Sequence, residues 1–255
     1  MISTIIVRLR SLRRKFSRTH WAARLLGIQT PTGEADEPGL IMIQLDGLSR
    51  TEFERAVKSG KLPFLARMIR RGHFTLESFY SGLPSSTPAV QAEIFFGVRT
   101  AVPSFEFLRR KSGKVFQMFE STAAAEIQED LQSQCPEPLL KRGRSYLNIY
   151  RAGAEYSHYC SQDTASREVM RRLHPVKWLI LSIVYAPKIL RLIALALLEF
   201  GLAVVDAVKG LYEREDFIRE MLFVPSRVFF CLVLRELIRF RVMLDIEQGV
   251  QVIHA

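Results

Sequence analysis

Leu40-Ile41-Met42-Ile43-Gln44-Leu45 is a nearly continuous apolar run that stops at Asp46-Gly47. A run of this length, apolar on both faces, predicts a buried strand of a parallel sheet. Helical patterns follow over Thr51–Ser59 and Pro63–Arg71. A candidate strand lies at Phe74–Tyr80, then a loop over residues 81–88, then a helical pattern over Ala89–Gly97. The order β–α–α–β–loop–α predicts an α/β sheet domain. The 255 residues suffice for one large domain or one and a half ordinary ones. With 48% hydrophobic and 24% charged residues, a mainly disordered chain is excluded.

Asp46 falls at the carboxyl end of its strand, where open α/β sheets bind ligands. A carboxylate there can hold a divalent metal ion. It can equally be a turn residue, because Asp-Gly is a common turn dipeptide. Thr87 precedes Pro88, and proline favours the first helical position, so Thr87 is the expected N-cap. A hydroxyl at that point sits beside free N–H groups in the positive field of the helix end, which suits a phosphoryl group. Capping alone also accounts for it. Ser85 and Ser86 are rival hydroxyls further back in the loop.

The two features belong to a longer pattern: IMIQLDGLS at 41–49, LPFLARMIRRG at 62–72 and SGLPSSTPAVQAEIFFG at 81–97. This pattern resembles the N-terminal portion of the alkaline phosphatase superfamily, in its type I phosphodiesterase/nucleotide pyrophosphatase branch. The general run of residues 140–255 also resembles a bacterial group of that superfamily. The resemblance implies an alkaline-phosphatase-like, mostly parallel sheet with flanking helices, incomplete here, plus a long apolar helical insertion. It implies a metal-binding Asp46 and a nucleophilic, metal-bound Thr87. It further implies two divalent ions, zinc in the family, and hydrolysis of phosphoric esters through a threonine phospho-enzyme. One ion lowers the pKa of the hydroxyl and the other stabilises the leaving oxygen.

The chain also departs from the pattern. Pro88-Ala89-Val90 stands where nucleotide pyrophosphatases carry Phe-Pro-Asn after the nucleophile. Gly97–Ser104 replaces their Gly-Leu-Tyr-Pro-x-x-His-Gly stretch. The reaction class therefore carries over better than a nucleotide substrate. The family's ligands for the second ion follow the strand expected at 248–255, and none is found here. The resemblance thus implies an N-terminal fragment that is inactive alone. Two alternatives stay open: a phosphoryl or phospho-head-group transferase at a membrane, and a non-catalytic membrane-associated protein.

Charge is uneven. The net charge is +10, but residues 1–30 hold seven basic residues and no acids, and without them 29 basic residues face 26 acids. The basic pI describes an arm, and nucleic acid is not an expected partner. Residues 5–23 place Ile5, Leu9, Leu12 and Phe16 on one narrow helical face among arginines. Such an arm suits an anionic membrane surface, a solvated terminus or a transit peptide. The expected organisation is an arm at 1–27, a linker at 28–38, the N-terminal part of the α/β core at 39–140 and an irregular segment at 141–175. A strongly apolar helical insertion at 176–247 and the next core strand at 248–255 complete it.

No charge-free run within 178–209 reaches the roughly 18 residues of a spanning helix. On a helix over 188–213, every charge lies within an arc of about 80°. A core or lid helix, an interfacial helix and half of a membrane hairpin bent at Pro187 all fit. A membrane surface contacted through 1–27 and 178–209 is the expected partner besides a phosphate-ester substrate. A second helix is expected at Ser226–Met243, capped by Ser226. His73, His158 and His174 have no ligand spacing, and His254 reads as a strand residue. Three scattered cysteines exclude a Cys-x-x-Cys site and fit a reducing compartment. No signal peptide is recognisable, so the expected location is the cytoplasm or the inner face of a membrane.

Overall fold

The computed structural model of the chain describes residues 16–31, 38–83, 85–99, 102–110, 112–158, 160, 175–212 and 217–255. The chain divides into two compact units. One comprises Ile41–Thr164 with His254–Ala255, the other Met1–Leu40 with Ala165–Ile253. The first is α/β and the second is helical.

In the α/β unit, strand β1 (Leu40–Met42) leads to helices α2 (Arg50–Lys58), α3 (Pro63–Arg70) and α4 (Thr87–Phe96). A hairpin of β2 (Glu106–Arg109) and β3 (Lys114–Gln117) follows, then helix α5 (Ser121–Gln134) and strands β4 (Arg144–Tyr146) and β5 (Tyr156–His158). The last strand of the chain, β6 (Val252–His254), joins them in a four-stranded sheet of order β1-β6-β4-β5. The boundary between the two units runs through β1 and β6.

β4 and β5 are parallel, with Arg144 opposite Tyr156 and Tyr146 opposite His158. Along β1 and β6 the bonds Leu40 N to Gln251 O, Ala255 N to Met42 O and Gln44 N to Ala255 O advance in the same direction on both chains. That is the stepping of a parallel ladder.

Three expectations change here. β1 is parallel, as its pattern predicts, but it is an edge strand and not a buried one. Among the described residues it pairs on one side, with β6, and Leu40, Ile41, Ile43 and Leu45 are exposed. Phe74–Tyr80 forms no strand, and Phe79 and Tyr80 stand in solvent. Apolar residues make a strand only where a neighbour completes the ladder. The segment 141–175 is not uniformly irregular. Within it Arg144–Tyr146 is fully buried as β4, and Tyr150 is among the largest buried side chains. Residues 161–174, with His174, lie outside the described residues.

The core of this unit follows helical spacing. α4 buries Pro88, Gln91, Ala92, Phe95 and Phe96 on one face, and α5 buries Ala123, Ala124, Ile127 and Leu131. Phe96 meets Tyr150 edge-on at 5.9 Å. The β2–β3 hairpin buries Phe116 beneath Arg109 and Lys114, whose cations lie 4.5 and 4.8 Å from its ring.

The helical unit begins with α1 (Arg18–Leu25), capped by Ser17, whose Oγ accepts from His20 N at 3.1 Å. The expected amphipathic helix over 5–23 lies largely outside the described residues, as does most of the linker at 32–37. Helix α6 (Pro175–Tyr212) runs 38 residues through Pro187. A second long helix comprises α7 (Phe217–Val228), a π-helical turn (Phe229–Leu234) and α8 (Arg235–Gln248). Ser226 therefore lies inside a helix and caps nothing. Its hydroxyl donates back to the carbonyls of Leu222 and Phe223 instead.

Ala203, Ala207 and Val224 form the α6–α7 core, where small side chains let the helix axes approach. Ala22, Ala23 and Leu244 form a second core with Leu26, Leu181, Tyr185 and Phe240 packed on it. Among the described residues, no helix is long and apolar enough to cross a membrane.

Candidate active site

The site lies in the α/β unit where β1 ends and α4 begins. Gln44 N makes the last backbone bond of β1, to Ala255 O at 2.8 Å. Two residues later comes Asp46, and Gly47 turns the chain with φ +71°. That left-handed conformation is easy only for glycine. Asp46 is thus held at the carboxyl end of the strand, exposed and facing the loop before α4.

Thr87 opens α4. The N-cap is Ser86, in extended conformation, and Thr87 is the first helical residue, with Pro88 beside it in the first turn. This corrects the expected capping role by one position. The first turn leaves N–H groups without helical partners, so proline costs nothing there. The shift frees the Thr87 hydroxyl for another bond: Thr87 Oγ1 donates to Asp46 Oδ2 at 3.0 Å. The two residues singled out in the sequence, 41 positions apart, are in direct contact. The rival hydroxyls are engaged elsewhere. Ser86 Oγ donates to Pro103 O at 3.3 Å, and Ser85 Oγ shares a 2.7 Å bond with Ser81 Oγ.

Behind the pair runs an amide chain, from the partly buried Gln44 to the buried Gln91 and Asn148. Gln44 Nε2 donates to Asp46 Oδ1 at 2.6 Å, so both oxygens of the carboxylate are held. Gln44 Oε1 accepts from Gln91 Nε2 at 3.2 Å. Gln91, one helical turn after Thr87, also donates to Asn148 Oδ1 at 3.1 Å and accepts from Ile149 N at 2.9 Å. Asn148 Nδ2 donates to Ser145 Oγ at 2.7 Å. Tyr150 Oη donates to Pro88 O at 3.3 Å and ties the first turn of α4 to the residue-150 loop. Burial pushes the Tyr150 phenol up, which keeps it a donor.

An open cleft of about 850 Å³ surrounds the pair. Its lining includes Asp46, Thr87, Ser49, Ser85 and Arg50, the one cation among the lining residues. The Arg50 guanidinium is fixed by Glu54 Oε1 at 2.9 Å and Ser78 Oγ at 2.7 Å. His254 lies on β6, buried, edge-on to Phe95 at 4.8 Å. Its Nδ1 has no hydrogen-bond partner among the described residues. Burial pushes the imidazole down to about 4, against the opposing pull of the Asp46 carboxylate.

Gln44, Arg50, Gln91 and Asn148 are not among the residues the sequence marks for chemistry. A signal for two of them exists. Gln44 is the polar break in the run 40–45, and Gln91 is the one amide on a buried apolar face. Asn148 and Arg50 carry none.

Two oxygens 3.0 Å apart are close enough to share one ion with metal–oxygen distances of about 2.0–2.2 Å. Asp46 and Thr87 thus fit one side of a metal site as two donors. Among the described residues, no three His, Cys, Asp or Glu side chains gather to hold an ion, and none offers a second site. Comparison with known proteins gives no match: no protein-family model, no curated protein and no solved structure is significantly similar to the chain.

Proposed function

We propose that the Asp46–Thr87 pair is the nucleophile side of a site that cleaves phosphoric esters. The observation that carries this reading is the 3.0 Å hydrogen bond from Thr87 Oγ1 to Asp46 Oδ2 at the mouth of an open cleft. The bond directs the hydroxyl proton toward a carboxylate and leaves a lone pair of Oγ1 for phosphorus. Gln44, backed by Gln91, holds the other carboxylate oxygen and so fixes the direction of the first bond. The free N–H groups at the start of α4 and the Arg50 guanidinium face the negative oxygens of the ester.

In the step proposed, the Oγ1–P bond forms and the P–O bond to the leaving group breaks. The proton held at Asp46 passes to the leaving oxygen. Water then splits the phosphothreonine, returning the free hydroxyl with phosphate from a monoester or a phosphomonoester from a diester. A divalent ion, zinc in the superfamily the sequence resembles, would be held by Asp46 and Thr87. It would lower the pKa of the hydroxyl. An alkaline-phosphatase-like core is part of the same proposal.

Two donors are half of a four-coordinate site. Transfer of one phosphoryl group to Thr87 is therefore the event to look for, rather than rapid turnover. The test incubates the protein with zinc or manganese and an aryl phosphate monoester or diester, then maps phosphate by mass spectrometry. Phosphate on Thr87, absent in Thr87→Ala and retained at a lower rate in Thr87→Ser, supports the reading. Hydrolysis unchanged in Thr87→Ala, or label only on other residues, overturns it.

The head-group transferase alternative, acting at the face of a membrane, is favoured by one observation. The outward half of α6 is apolar and uncharged, with Leu190 and Leu197 66% and 68% exposed.

A further inference from the structure

The exposed face of α6 runs the length of the helix. Between residues 179 and 208 the only charges are Lys188, Arg191, Glu199 and Asp206. At 100° per residue they share one side, the side that packs on α7 and α8. Leu179, Ile183, Leu190, Leu197, Val204 and Val208 fall within an arc of about 60° on the opposite side, all exposed. This stripe spans about 44 Å at 1.5 Å per residue. An uncharged surface of that length on a soluble monomer is not ordinary and marks an interaction site.

The charge pattern identifies the partner. The two acids on α6 are both taken by one residue: Arg227 Nε donates to Glu199 Oε1 at 2.6 Å, and Arg227 Nη1 donates to Asp206 Oδ2. Lys188 and Arg191 form no such ion pair among the described residues. Lys188 and Arg191 join Arg235 and Arg239 around a cleft of about 310 Å³, where Glu236 is the single acid. Glu236 is engaged by Arg239, at 2.9 Å through Nε. Burial pushes the Lys188 ammonium down, and the positive charges of Arg239 and Arg18 push it the same way. A neighbouring apolar cleft of about 170 Å³ shares Lys188, Leu192 and Arg239 with the first and continues to Phe240 and Met243. The helical unit as a whole has 20 basic and 13 acidic residues, which is +7 of the chain's +10.

We propose that the helical unit docks on an anionic phospholipid surface, with the outer face of α6 among the acyl chains. The Lys188–Arg191–Arg235–Arg239 cleft then receives phosphodiester headgroups. The depths agree. An interfacial helix sinks its apolar face about 5–10 Å into the boundary of headgroups and acyl chains. The cations on its far side lie about one helix diameter, roughly 10 Å, above that face, at headgroup level. A second copy of this chain is the poorer occupant, since it would bring a second excess of positive charge to the same edge. This proposal rests on the membrane-face alternative above and adds the lipid chemistry and the residues that read it.

The test is co-sedimentation with phosphatidylcholine vesicles and with phosphatidylcholine/phosphatidylglycerol vesicles at low salt. The wild-type chain is compared with Lys188→Gln/Arg191→Gln and with Leu190→Gln/Leu197→Gln. Circular dichroism verifies that each is folded, and light scattering gives the oligomeric state. Binding to the anionic vesicles is expected to fall about 30-fold when two cations are neutralised, at about 1 kcal/mol per basic residue near the surface. The apolar double variant should lose binding to both vesicle types. Equal binding to neutral and anionic vesicles, unchanged in Lys188→Gln/Arg191→Gln, would overturn the headgroup site while leaving the membrane face. Absence of binding to either type, or a stable dimer that Leu190→Gln/Leu197→Gln converts to monomer, would overturn both.

Discussion

Gln91→Ala is the perturbation that most directly tests the amide chain behind the site. The Gln91 side chain is 2% exposed and satisfies three groups. Removing it leaves Ile149 N–H and Asn148 Oδ1 without their partners at 2.9 and 3.1 Å, both in buried residues. Gln44 Oε1 is only partly buried and can turn to water. Each of the two buried orphans costs about 1–3 kcal/mol. A loss of about 3 kcal/mol is therefore expected, against a total of about 5–15 kcal/mol for a domain. At about 2–4 °C per kcal/mol for a unit of this size, that is a drop in Tm of about 6–12 °C.

Calorimetry reads the transition, and hydrogen exchange at the Ile149 amide reads the site itself. Exchange there should accelerate by about a hundredfold for 3 kcal/mol if the amide opens only with the whole unit. Gln91→Glu provides a second reading. Its acid form accepts from Ile149 N and donates one bond, whereas its carboxylate faces Asn148 Oδ1 and Gln44 Oε1 with no donor. That variant should lose less stability at pH 5 than at pH 8. A Gln91→Ala chain within 0.5 kcal/mol of wild type, or a Gln91→Glu chain with no dependence on pH, would refute the network as a stabilising element.

The remaining predictions are shorter. The folded unit raises the Tyr150 phenol pKa above its ordinary value of 10.0 by burial, so above pH 10 the folded state binds more protons than the unfolded one. Stability should be fully present below pH 10 and decline as pH rises beyond it. Tyr150→Phe should flatten that alkaline limb and lose about 0.5–1.5 kcal/mol at pH 7 with its bond to Pro88 O, as measured by urea unfolding. Gly153→Ala meets Pro138 Cγ at 2.7 Å from the new Cβ and holds φ +76°, so it should cost more than the roughly 1–2 kcal/mol of the left-handed backbone alone. A neutral effect on Tm would contradict that packing. Asp46→Asn should weaken zinc or manganese binding by calorimetry about tenfold or more while leaving Tm near wild type, because the side chain is exposed.

What the sequence determined by itself is local. A strand within residues 40–45, helices close to 51–59 and 63–71, an Asp46 shortly past a strand and a Thr87 at the start of a helix are legible in it. These follow from a continuous apolar run, helical spacing and the positions of Pro63, Pro88 and Gly97, which act within a few residues of themselves. The α/β class is read from an order that includes a strand at Phe74–Tyr80; the class holds because β4, β5 and β6 supply the sheet instead.

Tertiary structure decided what depends on a distant partner. Among the described residues strand β1 stands at the edge of the sheet and pairs with β6, which lies more than 200 residues away in the chain. Phe74–Tyr80 has strand composition but no ladder neighbour among the described residues. Ser226 and Thr87 have capping residue types, yet helix–helix packing carries α7 through Ser226, and Asp46 takes the Thr87 hydroxyl. The contact of Asp46 with Thr87, the Gln44–Gln91–Asn148 chain and the capture of both α6 acids by Arg227 join residues 21 to 57 positions apart. No periodicity encodes such pairs. A hydrogen bond depends on the positions of two atoms in space, and only the packed chain brings those atoms within bonding distance of each other.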